Sequence, residues 1–164
     1  RSAGLNGGLG TVLLRVGGVE IAARIDPAGL GVVLPASMRS ELKMFGDSTG
    51  EAGAASFRIG RLDFENIPAA LASTGDVARL GFDVLAPYSP TFEPRAGRVT
   101  LHRPDRRWRS PAGTRVPALY DALGVRMLYG GAWTPAGATS ATRLLASRAW
   151  TWDARRGDVV LLTP

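Results

Sequence analysis

Gly-Val-Glu-Ile-Ala-Ala-Arg-Ile-Asp, from Gly18 to Asp26, decides the fold, because the chain carries its pattern twice. The second copy reads Gly-Thr-Arg-Val-Pro-Ala-Leu-Tyr-Asp, from Gly113 to Asp121. Each is a turn glycine, a mostly apolar strand, and an aspartate entering a turn that contains glycine: Asp26-Pro27-Ala28-Gly29 and Asp121-Ala122-Leu123-Gly124. Outward from these, a second pair of segments matches without gaps. Ser89-Pro-Thr-Phe-Glu-Pro-Arg-Ala-Gly-Arg-Val-Thr-Leu101 lies on Ala149-Trp-Thr-Trp-Asp-Ala-Arg-Arg-Gly-Asp-Val-Val-Leu161. A pattern repeated in this order predicts two related halves built on one plan.

Between the repeats the periodicity is that of strands and short turns. Gly10 to Val16 and Val19 to Ile25 form a hairpin around Gly17-Gly18, and Gly31 to Leu34 reads as a buried strand. Pro35 to Phe45 reads as a short helix, with Met38, Leu42 and Phe45 on one face. Gly46 to Ala55 reads as a loop rich in Gly, Ser and Ala. Strands follow at Ser56 to Ile59, Leu62 to Phe64 and Ile67 to Ala72, and a helix begins near Asp83. A hairpin closes the half through Thr91-Phe92 and Val99 to Leu101. The second half abbreviates the plan: the strand ending at Asp121, Val125 to Leu128, a Gly/Pro/Ala-rich loop, a helix near Thr142 to Ala146, and the hairpin Trp150 to Leu162. The expected domains are a first lobe over 1–102, a basic connector over 103–107, and a shortened second lobe over 108–164.

Composition narrows the class. The 164 residues are 45% hydrophobic and 21% charged, which is globular and long enough to bury a core. No apolar run approaches the ~18 residues of a membrane helix. Cysteine is absent, which excludes disulfides and thiolate chemistry. The net charge of +6 is carried by arginine, Lys43 being the one lysine. Arginines 103, 106, 107 and 109 cluster where one half passes to the next, and read as a solvated connector. A phosphate- or partner-binding patch is the sharper alternative, with Trp108 stacking on a base rather than packing at the start of a strand. Arginine in place of lysine, with abundant Ala and Gly, suggests a GC-rich bacterial genome, in periplasm or cytoplasm. The abrupt start at Arg1-Ser2 suggests a leader or anchor before it.

Taken in order, these segments resemble the retropepsin-like and pepsin-like aspartic peptidases, especially bacterial relatives of the retroviral enzyme. The likeness rests on Val19 to Asp26, Val32-Val33-Leu34, Phe57 to Gly60 through Asn66-Ile67-Pro68, Leu80 to Leu85, and Phe92 to Leu101. Over 108–164 it rests on the duplication. The resemblance implies an all-β, retropepsin-like β-barrel of two pseudo-symmetric lobes in one chain. It also implies that Asp26 and Asp121 form a catalytic dyad. Two carboxyls that close do not both ionise, so one holds a proton while the other draws a proton from a shared water that attacks the peptide carbonyl. The separated pKa values of such a dyad are a known example of this effect. No cofactor or metal is implied.

The chain departs from that family where chemistry is most demanding. The family follows its aspartate with Thr or Ser and then Gly, the hydroxyl locking the two loops together. Here Pro27-Ala28 and Ala122-Leu123 follow, and Pro27 also lacks an N–H. The stretch from Asp121 to Gly157 is about half as long as that from Asp26 to Gly97, a shortening that falls where a substrate-covering flap belongs. A dyad needs positioning to about half an ångström, so the expectation leans to an inactive protein. Asp26 and Asp121 then cap their own turns. Asp83 reads as a structural polar residue at a helix start, and Trp133, Trp150 and Trp152 as packing residues rather than a ligand groove. His102 reads as solvent-facing.

The expected function is accordingly a degenerate aspartic-peptidase fold that binds an extended peptide or protein partner through its cleft or surface. An active endopeptidase using Asp26 and Asp121 is the first alternative. A basic nucleic-acid- or envelope-associated module is the second, although nucleic acid is not the expected partner. Monomer and homodimer both fit, two Asp26 loops meeting in the latter.

Overall fold

The structure, a computed structural model, describes residues 9–44, 52–72, 77–105, 107–121, 124–136 and 139–163. Two compact units can be told apart: one is Thr11–Val84, and the other joins Leu85–Pro164 to the segment that ends at Gly10. The closing hairpin at 91–101 falls in the second of these units.

The first unit contains β1 (Thr11–Val16), β2 (Val19–Asp26), β3 (Val32–Leu34), β4 (Lys43–Met44), β5 (Ala52–Ile59), β6 (Leu62–Leu71) and β7 (Ala78–Gly81). The neighbours run β1-β2-β7-β3-β6-β5, and β5 returns to β1 through Arg15 opposite Arg58, closing a six-stranded barrel. Closure follows from the strands' alternation. Leu14, Val16, Ala23 and Ile25 are buried while Arg15, Glu20 and Arg24 are exposed, so each strand keeps one apolar face inward. Phe57 and Phe64 stack across β5 and β6 with ring centroids 5.4 Å apart.

Three local expectations differ from what the chain does. Pro35 precedes a 3-10 segment, Ala36–Glu41, rather than an α-helix. None of its residues is buried, so no apolar stripe holds a longer helix against the barrel. Phe45, expected to end that helix, lies outside the described residues, as do 46–51 of the expected loop. The remainder of that loop, Ala52 to Ala55, is part of β5. A ladder from Ala52↔Ala70 to Ala55↔Ile67 overrides the low strand preference of Ala and Gly. The expected break between Phe64 and Ile67 is instead a bend within β6. Asn66 there adopts φ 53° and donates its N–H to Ser56 Oγ at 3.2 Å.

The second unit carries β8 (Thr91–Glu93), β9 (Arg98–Thr100), β10 (Gly113–Asp121), β11 (Gly124–Tyr129), β12 (Ala132–Pro135), β13 (Trp150–Asp153) and β14 (Asp158–Leu162). They form one sheet, β12-β11-β10-β14-β13-β8-β9. Helix α1 (Phe82–Leu85) follows β7, and α2 (Thr139–Ser147) precedes β13. The strand β12 occupies part of the segment whose Gly, Pro and Ala content predicts a loop. Its pairing, Tyr129↔Ala132 and Leu128↔Trp133, follows from the two-residue Gly130-Gly131 turn.

The two segments that match in sequence, 89–101 and 149–161, become neighbouring hairpins. Strands β8 and β13 run antiparallel with Thr91 opposite Thr151, which are equivalent positions of the gapless match. Their hydroxyls bond at 2.6 Å in a buried setting. Both hairpins turn on a left-handed glycine, Gly97 (φ 60°) and Gly157 (φ 65°). Beside this local twofold, Phe92 and Trp150 stack with centroids 4.2 Å apart.

Candidate active site

Asp26 ends β2 where the barrel order departs from chain order, β2 pairing with β7 rather than β3. Strand β7 inserts between β2 and β3, parallel to the first and antiparallel to the second, with Gly81 level with Asp26. The 26–31 loop must therefore cross over β7.

The loop is held by backbone bonds. Gly81 donates its N–H to the Gly31 carbonyl at 2.7 Å. Gly31 in turn donates its N–H to both carboxylate oxygens of Asp83, at 2.9 and 3.0 Å. Asp83 is thus a positioning residue that ties α1 to the aspartate loop, the structural role its place at a helix start suggested. Two glycines permit the close packing. At Gly81 a Cβ would meet the Asp83 carboxylate and lie 2.7 Å from the Gly29 carbonyl oxygen. At Gly31, where φ is +63°, it would collide with the Pro68 carbonyl.

The Asp26 carboxylate is engaged in its own turn. Ala28 donates its N–H to Oδ1 at 2.9 Å, and Gly29 donates to the Asp26 carbonyl at 3.3 Å. The bond to Ala28 is the Asx-turn geometry that the Asp-Pro-Ala-Gly sequence favours.

Asp121 sits differently. It ends β10 directly opposite Gly124, so β10 passes into β11 through a hairpin with no strand inserted between them. The matched aspartates therefore occupy unlike topologies. Ala122 and Leu123 lie outside the described residues. The Asp121 side chain is 45% exposed and forms an ion pair with Arg126 Nη2. The cross-hairpin pairing of Asp121 with Arg126 went unread in the sequence, where five positions of separation suggested nothing.

Among solved structures, the chain is similar to retropepsin-like folds. A retropepsin-like aspartic protease from Rickettsia conorii is 21% identical over 46% of this chain and 68% of that one, with a TM-score of 0.35. The retroviral protease-like domain of Ddi1 from Leishmania major is 10% identical over 56% of this chain and 86% of that one, with a TM-score of 0.40. Neither likeness transfers a residue role to this chain. No protein-family model and no curated protein matches the sequence.

Outside the aspartate loops, several polar groups take places the sequence did not announce. His102 is half-buried rather than solvent-facing: its Nε2 lies 3.0 Å from Thr91 Oγ1, extending the Thr91–Thr151 pair into a short relay. The recurrence of threonine at matched positions was the available signal. Trp108 starts no strand, since β10 begins at Gly113, and its ring lies 5.5 Å from the His102 ring. Trp150 and Trp152 pack in the core as expected, whereas Trp133 is 46% exposed. Its position on β12 turns it outward with Leu128 opposite it. Asp153 is almost fully buried and accepts the N–H groups of Arg155 (3.0 Å) and Arg156 (3.2 Å). Arg115 bridges Asp153 at 3.2 Å and Asp158 at 2.8 Å, and these bonds raise its guanidinium above its ordinary value.

No group of three His, Asp or Glu side chains among the described residues could hold a metal ion. No helix among them is long and apolar enough to cross a membrane.

Burial lowers the His102 pKa below its ordinary 6.5. The unfolded chain therefore takes a proton in a pH range where the folded one does not. The resulting stability is complete above pH 6.5 and falls as pH drops from there through the lowered value. Glu93, hydrogen-bonded by Arg98, and Asp63, hydrogen-bonded by Arg58, are held below their usual carboxylate values, so their losses come at lower pH. Thermal midpoints are expected to decline between about pH 6.5 and 5, with His102→Gln showing a flatter profile. A wild-type profile already flat over that interval would remove His102 as the cause.

Proposed function

We propose that this protein is a catalytically degenerate member of the aspartic-peptidase fold that binds an extended peptide or protein strand on its second sheet. The observation that carries the proposal is the edge strand β12, which among the described residues pairs only with β11. A closed barrel has no edge to offer along its ring, but an open sheet edge presents N–H and C=O groups to an added strand. Trp133 on this edge and Leu128 opposite it are exposed and supply apolar contacts for side chains of the ligand.

Loss of catalysis is supported by the turn bond of Asp26, by Pro27-Ala28 in place of a hydroxyl and glycine, and by the Asp121–Arg126 pair. The proposal includes descent of the two matched hairpins from one duplicated segment, which the Thr91–Thr151 pairing supports. It retains the two-lobe organisation, with the barrel as the catalytic-type lobe.

Peptides selected on the immobilised protein from a random library test the binding reading. Asp26→Asn and Asp121→Asn are expected to leave the selected affinity unchanged, and Trp133→Ser to weaken it by about tenfold or more. Affinity indifferent to Trp133→Ser would refute the β12 edge as the site. The second reading, an active endopeptidase in which Asp26 and Asp121 activate a water, is favoured by the firm pinning of the Asp26 loop through Asp83.

A further inference from the structure

The second unit contains a pocket of ≈ 430 Å³ that neither Asp26 nor Asp121 borders. We propose that it binds a nucleoside phosphate group, with the base against Trp108 and His102 and the phosphate on Arg103 and Arg155. This inference is independent of the peptide-binding reading.

Two kinds of lining meet there. The Trp108 and His102 rings lie 5.5 Å apart at 40°, and both help wall the pocket, as does Pro104. Such a wall accepts any heteroaromatic ring by stacking, without reading its identity. Arg103 and Arg155 supply the positive charge, in a chain whose net charge is +6.

The polar groups are arranged to keep these surfaces available. Arg155 uses one donor on the Asp105 carbonyl, which anchors a guanidinium that carries five N–H groups. The Asp105 carboxylate also lines the pocket and would oppose an anion, but it accepts the Arg107 N–H at 3.0 Å. Ser89 Oγ accepts the Ala154 N–H at 3.1 Å and retains its own proton to donate. His102 Nε2 is committed to Thr91 Oγ1, which fixes the ring's plane. Burial also disfavours the charged imidazolium, so His102 contributes a neutral stacking face and leaves the phosphate to the arginines.

The same chemistry is offered by a free nucleotide and by a nucleotide within a single strand. The full chain is therefore titrated with AMP and with a fluorescein-labelled ten-nucleotide uridine RNA, at low and moderate salt. Binding of at least one probe is expected. It should weaken by about tenfold or more in the Arg103→Gln/Arg155→Gln double variant and in Trp108→Leu, while Trp108→Phe stays close to wild type. The arginine variant alters exposed positions, so it stays interpretable even where Trp108→Leu unfolds.

AMP binding as tightly as the RNA, with shallow salt dependence, supports the site with a free nucleotide as its source. RNA binding far tighter than AMP supports it with a strand as the source, provided the salt slope falls by about one for each arginine removed. Absence of binding by either probe up to about 1 mM overturns the proposal. So does binding that the double arginine variant leaves unchanged.

Discussion

Trp150→Ala is expected to destabilise the second unit by about 3–5 kcal/mol, the range for deleting a large aromatic side chain from a core. Trp150 is 2% exposed, stacks on Phe92 at 4.2 Å, and lies on β13 opposite both Phe92 and Leu161. It therefore joins the two matched hairpins where they meet. Truncation would remove the stacking partner and leave a cavity that neighbouring strands, fixed by their ladders, fill poorly. Urea unfolding followed by tryptophan fluorescence should show an earlier midpoint, with a slope close to wild type. A loss under about 1 kcal/mol would mean that the hairpins are not packed through this ring.

Gly31→Val is the second large effect, and it strikes the barrel rather than the sheet. A left-handed φ costs an L residue about 1–2 kcal/mol, and a β-branched one is placed worst. The added side chain also collides with the Pro68 carbonyl, which belongs to β6 and has little room to retreat. Relief would move Gly31 away from Asp83 and Gly81, at about 1 kcal/mol for each hydrogen bond lost. The expected total is about 3 kcal/mol or more. Asp83→Asn preserves one acceptor and should cost less. Amide hydrogen exchange at 26–34 and 78–83 would report the loosening, and protection equal to wild type in Gly31→Val would contradict the crossing-loop geometry.

Most of the strand plan was legible because it is written in alternation and in turn glycines. The hairpin at Gly17-Gly18, the buried run before Leu34 and the closing hairpin at Trp150 follow from local chemistry. What stayed hidden depends on partners distant in the chain. Ala52 to Ala55 carries no strand signal and becomes one only because β6 supplies the ladder. Strand β12 was obscured by its own Pro135, although the Gly130-Gly131 pair before it is a hairpin signal.

The insertion of β7 between β2 and β3 is a topological fact with no periodicity to reveal it. It gives Asp26 a crossing loop and leaves Asp121 at an ordinary hairpin bend, a difference that matched sequences conceal. His102 was misread because a strand-end histidine is usually solvated, and nothing local indicates that Thr91 lies beside it. The Asp26 turn was legible, since Asp-Pro-Ala-Gly encodes its own bond from the Ala28 amide to the carboxylate.

The most direct trial of the account is cleavage itself. Wild type and Asp26→Asn are incubated with a mixed peptide library across pH 3 to 7 and read by mass spectrometry. No hydrolysis above the Asp26→Asn control is predicted at any pH. Peptide products that appear with wild type and vanish with Asp26→Asn would contradict it, and would restore Asp26 as a working catalytic carboxylate.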